Sequence, residues 1–586
     1  MTPGALLLFL PNPFLPFVTA IPARSQIRST RSIVPILQLA MEDKTVQKPI
    51  GEKPTGDNAV EGEVLDYNAD DYGTDSQLSR TLGSRHLLMF SVGSSIGMGL
   101  WLGSGTSLVN GGPAGIFIGY CIAGSIAWAL NQSIGELAIM YPMPSAFPQW
   151  ARKFIDTAPA FTVGWAYWFS AAITLANELQ GVVTVLSFWT DKVPTAAWLS
   201  IFLVLIFLIN VSAVRVFGEA EVIMSTIKLF WIFVVIISCI IISAGGGPTH
   251  QKTGFQYWNS DPFTHGFKGF LSVMGTCIFA MSGSEMGGIV AAEASNPKRA
   301  VPKAVSSIWL RLTLFYVIGA LMVTITVSPK DPNLFGGSGI NASPFVIAFR
   351  NGGVPGLAHA MNAIIFVSVF SSGNAQGYAG SRTPIGLANI GMAPAIFKKC
   401  DRQGRPWAGI ALTFLIGGGL CYLNVSNSGA TVFTWFSNLT SLCTLYTWGI
   451  IFLSHIRFRR AWKIQGHSAQ ELPWKTWTYP FGAYWGLAWC IILIIVEFYI
   501  AVWPLGEKSS AKNFFANYIS IVAMLVLYIA SKIYYRGPFW IKAENIDLNT
   551  GRRYYPTDDT EKEAGGSNKK FGLANITGFL TGESKI

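Results

Sequence analysis

Two glycine-dense strings sit inside apolar runs of this 586-residue chain, and they are where its backbone can do chemistry. The first reads Gly93-Ser-Ser-Ile-Gly97-Met-Gly99-Leu-Trp-Leu-Gly103-Ser-Gly105, and the second Phe279-Ala-Met-Ser-Gly283-Ser-Glu285-Met-Gly287-Gly288. Each interior glycine disfavours helix by about 1 kcal/mol relative to alanine. A helix interrupted at such a string frees amide donors at one half-helix N-terminus and carbonyl acceptors at another half-helix C-terminus. Together these poles can hold a carboxylate and an ammonium. Gly93 with Gly97, and Gly283 with Gly287, also fit the spacing of small residues that lets helices pack closely. Spacing alone leaves both uses open.

Ionisable side chains inside the apolar runs are few: Glu136, Glu178, Lys228, Glu285, Arg311, Arg382 and Glu497. Placing a charge in hydrocarbon costs at least about 2.5 kcal/mol, so each needs a reason to be there. Lys228 lies seven residues beyond Glu221 and either snorkels to a membrane surface or carries a charge that transport uses. Glu285, two residues past Gly283, is placed to accept from amides freed by a break. Glu178 either lines a pocket or pairs with a polar neighbour. Glu136 and Arg311, near run ends, and Glu497 read as structural. No nucleophile, base and orienting group recur at a readable spacing, and no Walker-type phosphate loop is present, which argues against an enzyme or an ATP-driven pump. The six histidines are scattered, and the seven cysteines lie mostly inside apolar runs with no zinc or disulfide spacing. No cofactor and no metal are expected.

The elements that must position these residues are membrane helices. Half of the residues are hydrophobic (51%) and 12% are charged, against about 25% charged in soluble chains. Twelve apolar spans are expected, at 87–109, 113–141, 160–189, 195–214, 221–244, 269–293, 304–328, 356–390, 407–424, 430–454, 481–504 and 514–534. Loops after even-numbered spans carry 15 Lys and Arg and those after spans 3, 5, 7, 9 and 11 carry 7. Positive charge stays inside, so both termini are expected in the cytosol. The same topology accounts for the net charge of +11 without nucleic acid. Of the 31 acidic residues, ten fall in 41–85 and seven in 536–586, which marks two polar tails around a transporter domain at 86–535. Residues 1–40, with an apolar run at Ala5 to Leu10 and Arg24, Arg28 and Arg31, look like a signal segment. Met41 is the better expected start, because a secretory signal would put the acidic tail outside, and 1–40 then reads as a disordered extension or an upstream-start artefact. The tail after Arg536 is expected to be at most partly ordered.

The span 1 string and the span 6 string running into Ala291-Ala-Glu293-Ala-Ser-Asn-Pro-Lys-Arg-Ala-Val-Pro-Lys303 resemble fungal amino-acid permeases, the yeast amino-acid transporter family of the amino acid-polyamine-organocation superfamily. So do Ser381-Arg-Thr, Asp401-Arg-Gln-Gly-Arg-Pro406, Trp448-Gly, His455-Ile-Arg-Phe-Arg459 and Ala543-Glu-Asn-Ile-Asp-Leu-Asn-Thr-Gly-Arg-Arg553, in unbroken order from Ser84 to Arg553. The resemblance implies an all-α LeuT-like fold: inverted five-helix repeats (spans 1–5 and 6–10), broken helices 1 and 6, and two further spans. It implies proton-coupled amino-acid import at the plasma membrane, so the partners are an amino acid, protons and the lipid bilayer, with the cytosolic tails open to trafficking and ubiquitination machinery.

By that resemblance, backbone around Ser95, Ile96, Gly97, Met98 and Gly99 binds the substrate carboxylate. Phe279, Ala280, Met281, Ser282 and Gly283 form the ammonium side, with Phe279 as an aromatic lid. Lys228 falls near the sodium position of sodium-driven relatives and becomes the proton-coupling residue. Glu178, Glu285, Glu293 and Arg382 are structural or gating residues, with Arg382 facing Glu293 at a cytoplasmic gate. Met98 stands where the family usually has Thr or Ser, and Met281 where it has an aromatic. Specificity is expected around Ala176, Met281, Gly373 and Ser437, positions that are small or apolar, which favours neutral, bulky or apolar L-amino acids over glutamate and aspartate. The alternative is a non-transporting amino-acid sensor of the same fold.

Overall fold

The computed structural model describes Met89, Gly93 and residues 96–143, 145–212, 214–286, 297–335, 342–401, 404–426, 428–506 and 508–554. Nine helices among the described residues are long and apolar enough to cross a membrane. The first bounded helix among the described residues is a single turn, α1 (Met98–Trp101), followed at once by α2 (Gly103–Met140). Expected spans 1 and 2 meet inside α2, at Gly112-Pro113. Gly112 has φ +72°, and a Cβ there would lie 2.7 Å from the Pro262 carbonyl, so the chain turns where no side chain fits. After the short α3 (Ala146–Phe154) come α4 (Thr157–Leu186), α5 (Thr195–Val211) and α6 (Val214–Ser243), the counterparts of spans 3 to 5.

The second half starts with α7 (Gly266–Met281). Then α8 (Pro297–Arg311) runs through a π-helical stretch, Leu312–Ile318, into α9 (Gly319–Thr326), and α10 (Pro344–Asn351) precedes the long α11 (Pro355–Asn389). The bundle closes with α12 (Trp407–Cys421), α13 (Gly429–Ile464), α14 (Phe481–Val502) and α15 (Ala511–Tyr535). The helices α11 and α13 each pack against α4, and α2 packs along α7. By contrast, α14 and α15 leave most of their surface open, including Ile495, Leu525 and Val526, as suits helices facing lipid. Every expected span has a helical counterpart, although α5 and α7 are short for a full crossing and α1 is one turn long.

One end of the bundle carries α3 and the basic loops 390–406 and 465–480. There the fully buried Glu136 carboxylate accepts from Arg459 Nη2 at 3.0 Å and from the Thr476 amide at 3.0 Å, and lies 3.0 Å from His455 Nε2. This network ties α2 to α13 and the following loop. Removing one partner of a buried pair strands the other, at about 3–5 kcal/mol. Arg459→Met should therefore lower thermal stability and surface level sharply, and adding Glu136→Met should recover much of the loss. Non-recovery in the double variant would show that the charges do more than balance each other.

The C-terminal tail, expected to be at most partly ordered, is described as far as Tyr554. Residues 537–554 run as a strap across this same end. Ile541 N donates to Ile155 O, Arg553 N to Met140 O, Tyr141 Oη to Leu548 O and Lys153 Nζ to Thr550 O. Arg457 donates to the Phe154 and Ile541 carbonyls, and its guanidinium stacks over Trp540. Ile546 and Leu548 are each 2% exposed. Two apolar residues spaced by two in a polar tail are too weak a pattern to read from sequence. They order the segment because α3 and the end of α13 provide the surface they bury against. Burial lowers the Lys153 ammonium to a pKa of about 8, partly offset by Asp547.

At the opposite end, Ser343 Oγ donates to Trp101 O at 2.5 Å, Thr106 Oγ1 to Phe335 O at 3.1 Å, and Trp101 meets Phe345 edge-on. Phe335, Ser343 and Phe345 thus close over this end of α1 and α2.

Candidate functional site

Both glycine strings break their helices. Gly97 is extended (φ −142°, ψ −148°) and α1 begins at Met98. Helix α7 ends at Met281; Ser282 turns to ψ 140° and Gly283 takes φ +90°, a conformation that favours glycine. The freed Gly283 amide donates to both oxygens of the buried Glu285 carboxylate, at 3.1 and 3.2 Å, and the Trp448 indole approaches the same group at 3.4 Å. The two breaks touch: a Cβ on Gly99 would lie 2.6 Å from Ala280 Cα.

Between the breaks is a narrow cavity of about 10 Å³, walled by Gly97, Gly99, Phe279, Ala280 and Ser282. Thr174 and Glu178 of α4 and Ser372 and Gln376 of α11 complete it. The Met98 amide, at the start of α1, donates to Glu178 Oε2 at 3.0 Å and Oε1 at 3.3 Å, and Ser372 Oγ donates to Oε1 at 3.0 Å. An amide at the break therefore already holds a carboxylate, which is direct evidence that this pole accepts one. Gly97 is needed beside it, because a Cβ there would lie 2.3 Å from Glu178 Oε1 and 2.6 Å from Ser372 Oγ. Gly93 serves packing instead, with its Cβ position filled by Ser225 of α6.

Lys228 is fully buried, which rules out snorkelling. Its Nζ donates to Gly93 O at 2.9 Å and Ile96 O at 3.1 Å, the carbonyls exposed by the first break. Ser368 Oγ also donates to Ile96 O. The buried Glu221 carboxylate, one face along α6, accepts from Ser371 Oγ at 2.9 Å and Asn374 Nδ2 at 3.1 Å. Glu221 and Glu178 are the two carboxylates whose charges act on Lys228.

The other expected residues are placed as follows. Phe279 lines the cavity and packs edge-on against Phe433, which meets Phe335 in the same way, so an aromatic stack runs from the cavity to Phe335. The side chains of Met98 and Met281 point elsewhere: Met98 lies against the Gly181 position of α4, and Met281 against that of Gly124 in α2. Their unusual identities leave the cavity wall unchanged. Gly373 abuts Glu178 Cβ and Ile206, Ala176 lies in the core, and Ser437 donates to Thr434 O; none of the three walls the cavity. Arg382 stacks over the Tyr378 ring, which stacks on Phe217, and donates to Tyr378 O. Ser95 and Glu293 lie outside the described residues. Thr174, Ser372, Gln376 and Glu221 escape the sequence reading. The run Ser368, Ser371, Ser372, Asn374 and Gln376 in a membrane helix, and the Glu221, Ser225, Lys228 stripe on one helix face, are the signals that could find them.

Paired broken helices around a buried polar cavity in a membrane bundle define a secondary transporter. Residues 86–542 match the family described as amino acid permease, and the chain belongs to that family. It is 38% identical over 486 residues to the Candida albicans amino-acid permease GAP3, covering 82% of this chain and 81% of that one. It is 37% identical over 552 residues to the Schizosaccharomyces pombe cationic amino acid transporter 1 (92% and 94%), and 39% identical over 496 residues to the Saccharomyces cerevisiae general amino-acid permease GAP1 (83% and 82%). A crystal structure of the Eremococcus coleocola manganese transporter bound to an aromatic bis-isothiourea compound superposes with a TM-score of 0.50 at 15% identity, covering 80% of this chain and 99% of that one. That likeness establishes the LeuT-like fold alone. The protein is a multi-pass membrane transporter, not an enzyme.

Proposed function

We propose that this permease imports neutral L-amino acids across the plasma membrane by proton symport, with alternating access around the cavity between the two breaks. The observation that carries this reading is the Met98 amide holding a carboxylate inside that cavity. A substrate carboxylate taking the same donor displaces Glu178, while carbonyls at the end of α7 face the ammonium. The backbone thus serves the part common to all amino acids. Lys228 supports the coupling role, since its ammonium lies on two carbonyls of the first break and gains or loses them as that break moves. Among the described residues the cavity wall carries no basic side chain and one acidic one, Glu178, so a glutamate or aspartate side chain meets repulsion and no partner. Uptake of labelled amino acids by permease-deficient cells expressing the chain tests the reading; glutamate or aspartate as the strongest competitor would contradict it.

Glu178 in the wall also favours a second reading, in which basic amino acids are carried and pair with its carboxylate. Arginine and lysine as the strongest competitors would select it.

The 15 to 7 asymmetry of loop charge supports cytosolic termini, and the strap then lies on the cytosolic face. A tag at either end is expected to be reachable only after permeabilisation. Labelling from outside intact cells would invert the topology.

A further inference from the structure

We propose that Gln376 reads the side chain of the transported amino acid, and that the preferred substrates are those bearing a side-chain amide, glutamine and asparagine. This rests on the reading of the cavity as the substrate site. The support is an account of its polar side chains. Ser372 donates to Glu178, Thr174 donates to Ser170 O, and Ser282 accepts from Thr444. Gln376 is 8% exposed, lines the cavity, and among the described residues has no hydrogen-bond partner for either end of its amide.

The Gln376 amide opens into the cavity with its donor and its acceptor both unused, so a ligand there can take both. Gln376 lies one helical turn beyond Ser372, on the face of α11 that meets the cavity, and so one turn away from the amide and carboxylate at the first break. The carboxylate and ammonium of a bound amino acid go to the broken-helix poles. What remains for Gln376 is the side chain. Its carbonyl accepts and its NH2 donates, and the group that answers both at once is another primary amide. A hydroxyl answers one at a time. An apolar side chain answers neither, and leaves the Gln376 amide stranded. A carboxylate offers only acceptors and adds charge beside Glu178.

The test is uptake of labelled glutamine and labelled leucine by permease-deficient cells expressing the wild type, Gln376→Met or Gln376→Glu, with surface levels measured by an external tag. Methionine keeps the length of the side chain and removes the amide. In the wild type, glutamine and asparagine should be the strongest competitors against either tracer. In Gln376→Met the ratio of glutamine to leucine kcat/KM should fall about 10- to 100-fold, and in Gln376→Glu, which keeps the polarity but loses the donor, the ratio should also fall. Equal loss of both tracers with normal surface level would overturn the assignment, because Gln376 would then serve the common part of the substrate or the helix. Wild-type leucine uptake with glutamine as a weak competitor would overturn it while leaving the transport reading intact. Wild-type cells that take up neither tracer, nor any other amino acid, would contradict the transport reading itself.

Discussion

Gly97→Val is expected to abolish uptake while much of the protein still reaches the surface. The first side-chain carbon alone would lie 2.3 Å from Glu178 Oε1 and 2.6 Å from Ser372 Oγ, both well inside contact distance. Two further methyl carbons must enter the same space, so the Glu178 carboxylate is pushed off the Met98 amide and the first break loses its cradle. The helices around it are held by packing elsewhere, which is why folding survives. Gly283→Val acts at the second break by a different route. Its φ of +90° is closed to a β-branched residue, so the turn after α7 must rearrange and the Gly283 amide leaves Glu285. Tracer uptake normalised to a surface tag measures both. Near-normal transport by the two variants would mean that these glycines serve only helix packing.

The second large effect is expected from Lys228→Met. Methionine fills a similar volume, so the packing of α6 against the first break persists, but Gly93 O and Ile96 O lose the ammonium that bridges them. Hydrogen bonds to charged groups are worth about 1.5–3 kcal/mol, so a transport step that depends on one should slow about 10- to 100-fold. Glu221 keeps Ser371 and Asn374, which limits the structural damage. The residual uptake should no longer rise as the external medium is acidified. A normal rate with unchanged pH dependence would assign Lys228 a purely structural place.

Much of this was legible in the chain because membrane physics writes itself into sequence. Apolar runs of about 20 residues mark spans, and glycine density marks the two breaks to within a residue or two. Lys228 and Glu178 stood out because charge in hydrocarbon is expensive. The cavity wall was harder. Met281 and Gly373 were expected to shape it, yet the break after α7 turns Met281 toward Gly124, and Gly373 faces α4 and α5. A turn at one residue decides which neighbour faces inward, and that turn is set by contacts from distant helices such as the Trp448 approach to Glu285. The strap was hidden for a related reason: its order comes from α3 and the end of α13, not from its own composition.

Proton-coupled passage of an amino acid through the cavity between the two breaks can be measured directly. Purified protein in liposomes, given a labelled neutral amino acid and an imposed proton gradient, tests it without other permeases. The amino acid should accumulate against its gradient when the outside is acidic, the accumulation should collapse when the proton gradient is dissipated, and Gly97→Val should show none. Accumulation that ignores the proton gradient, or that survives Gly97→Val unchanged, would contradict it.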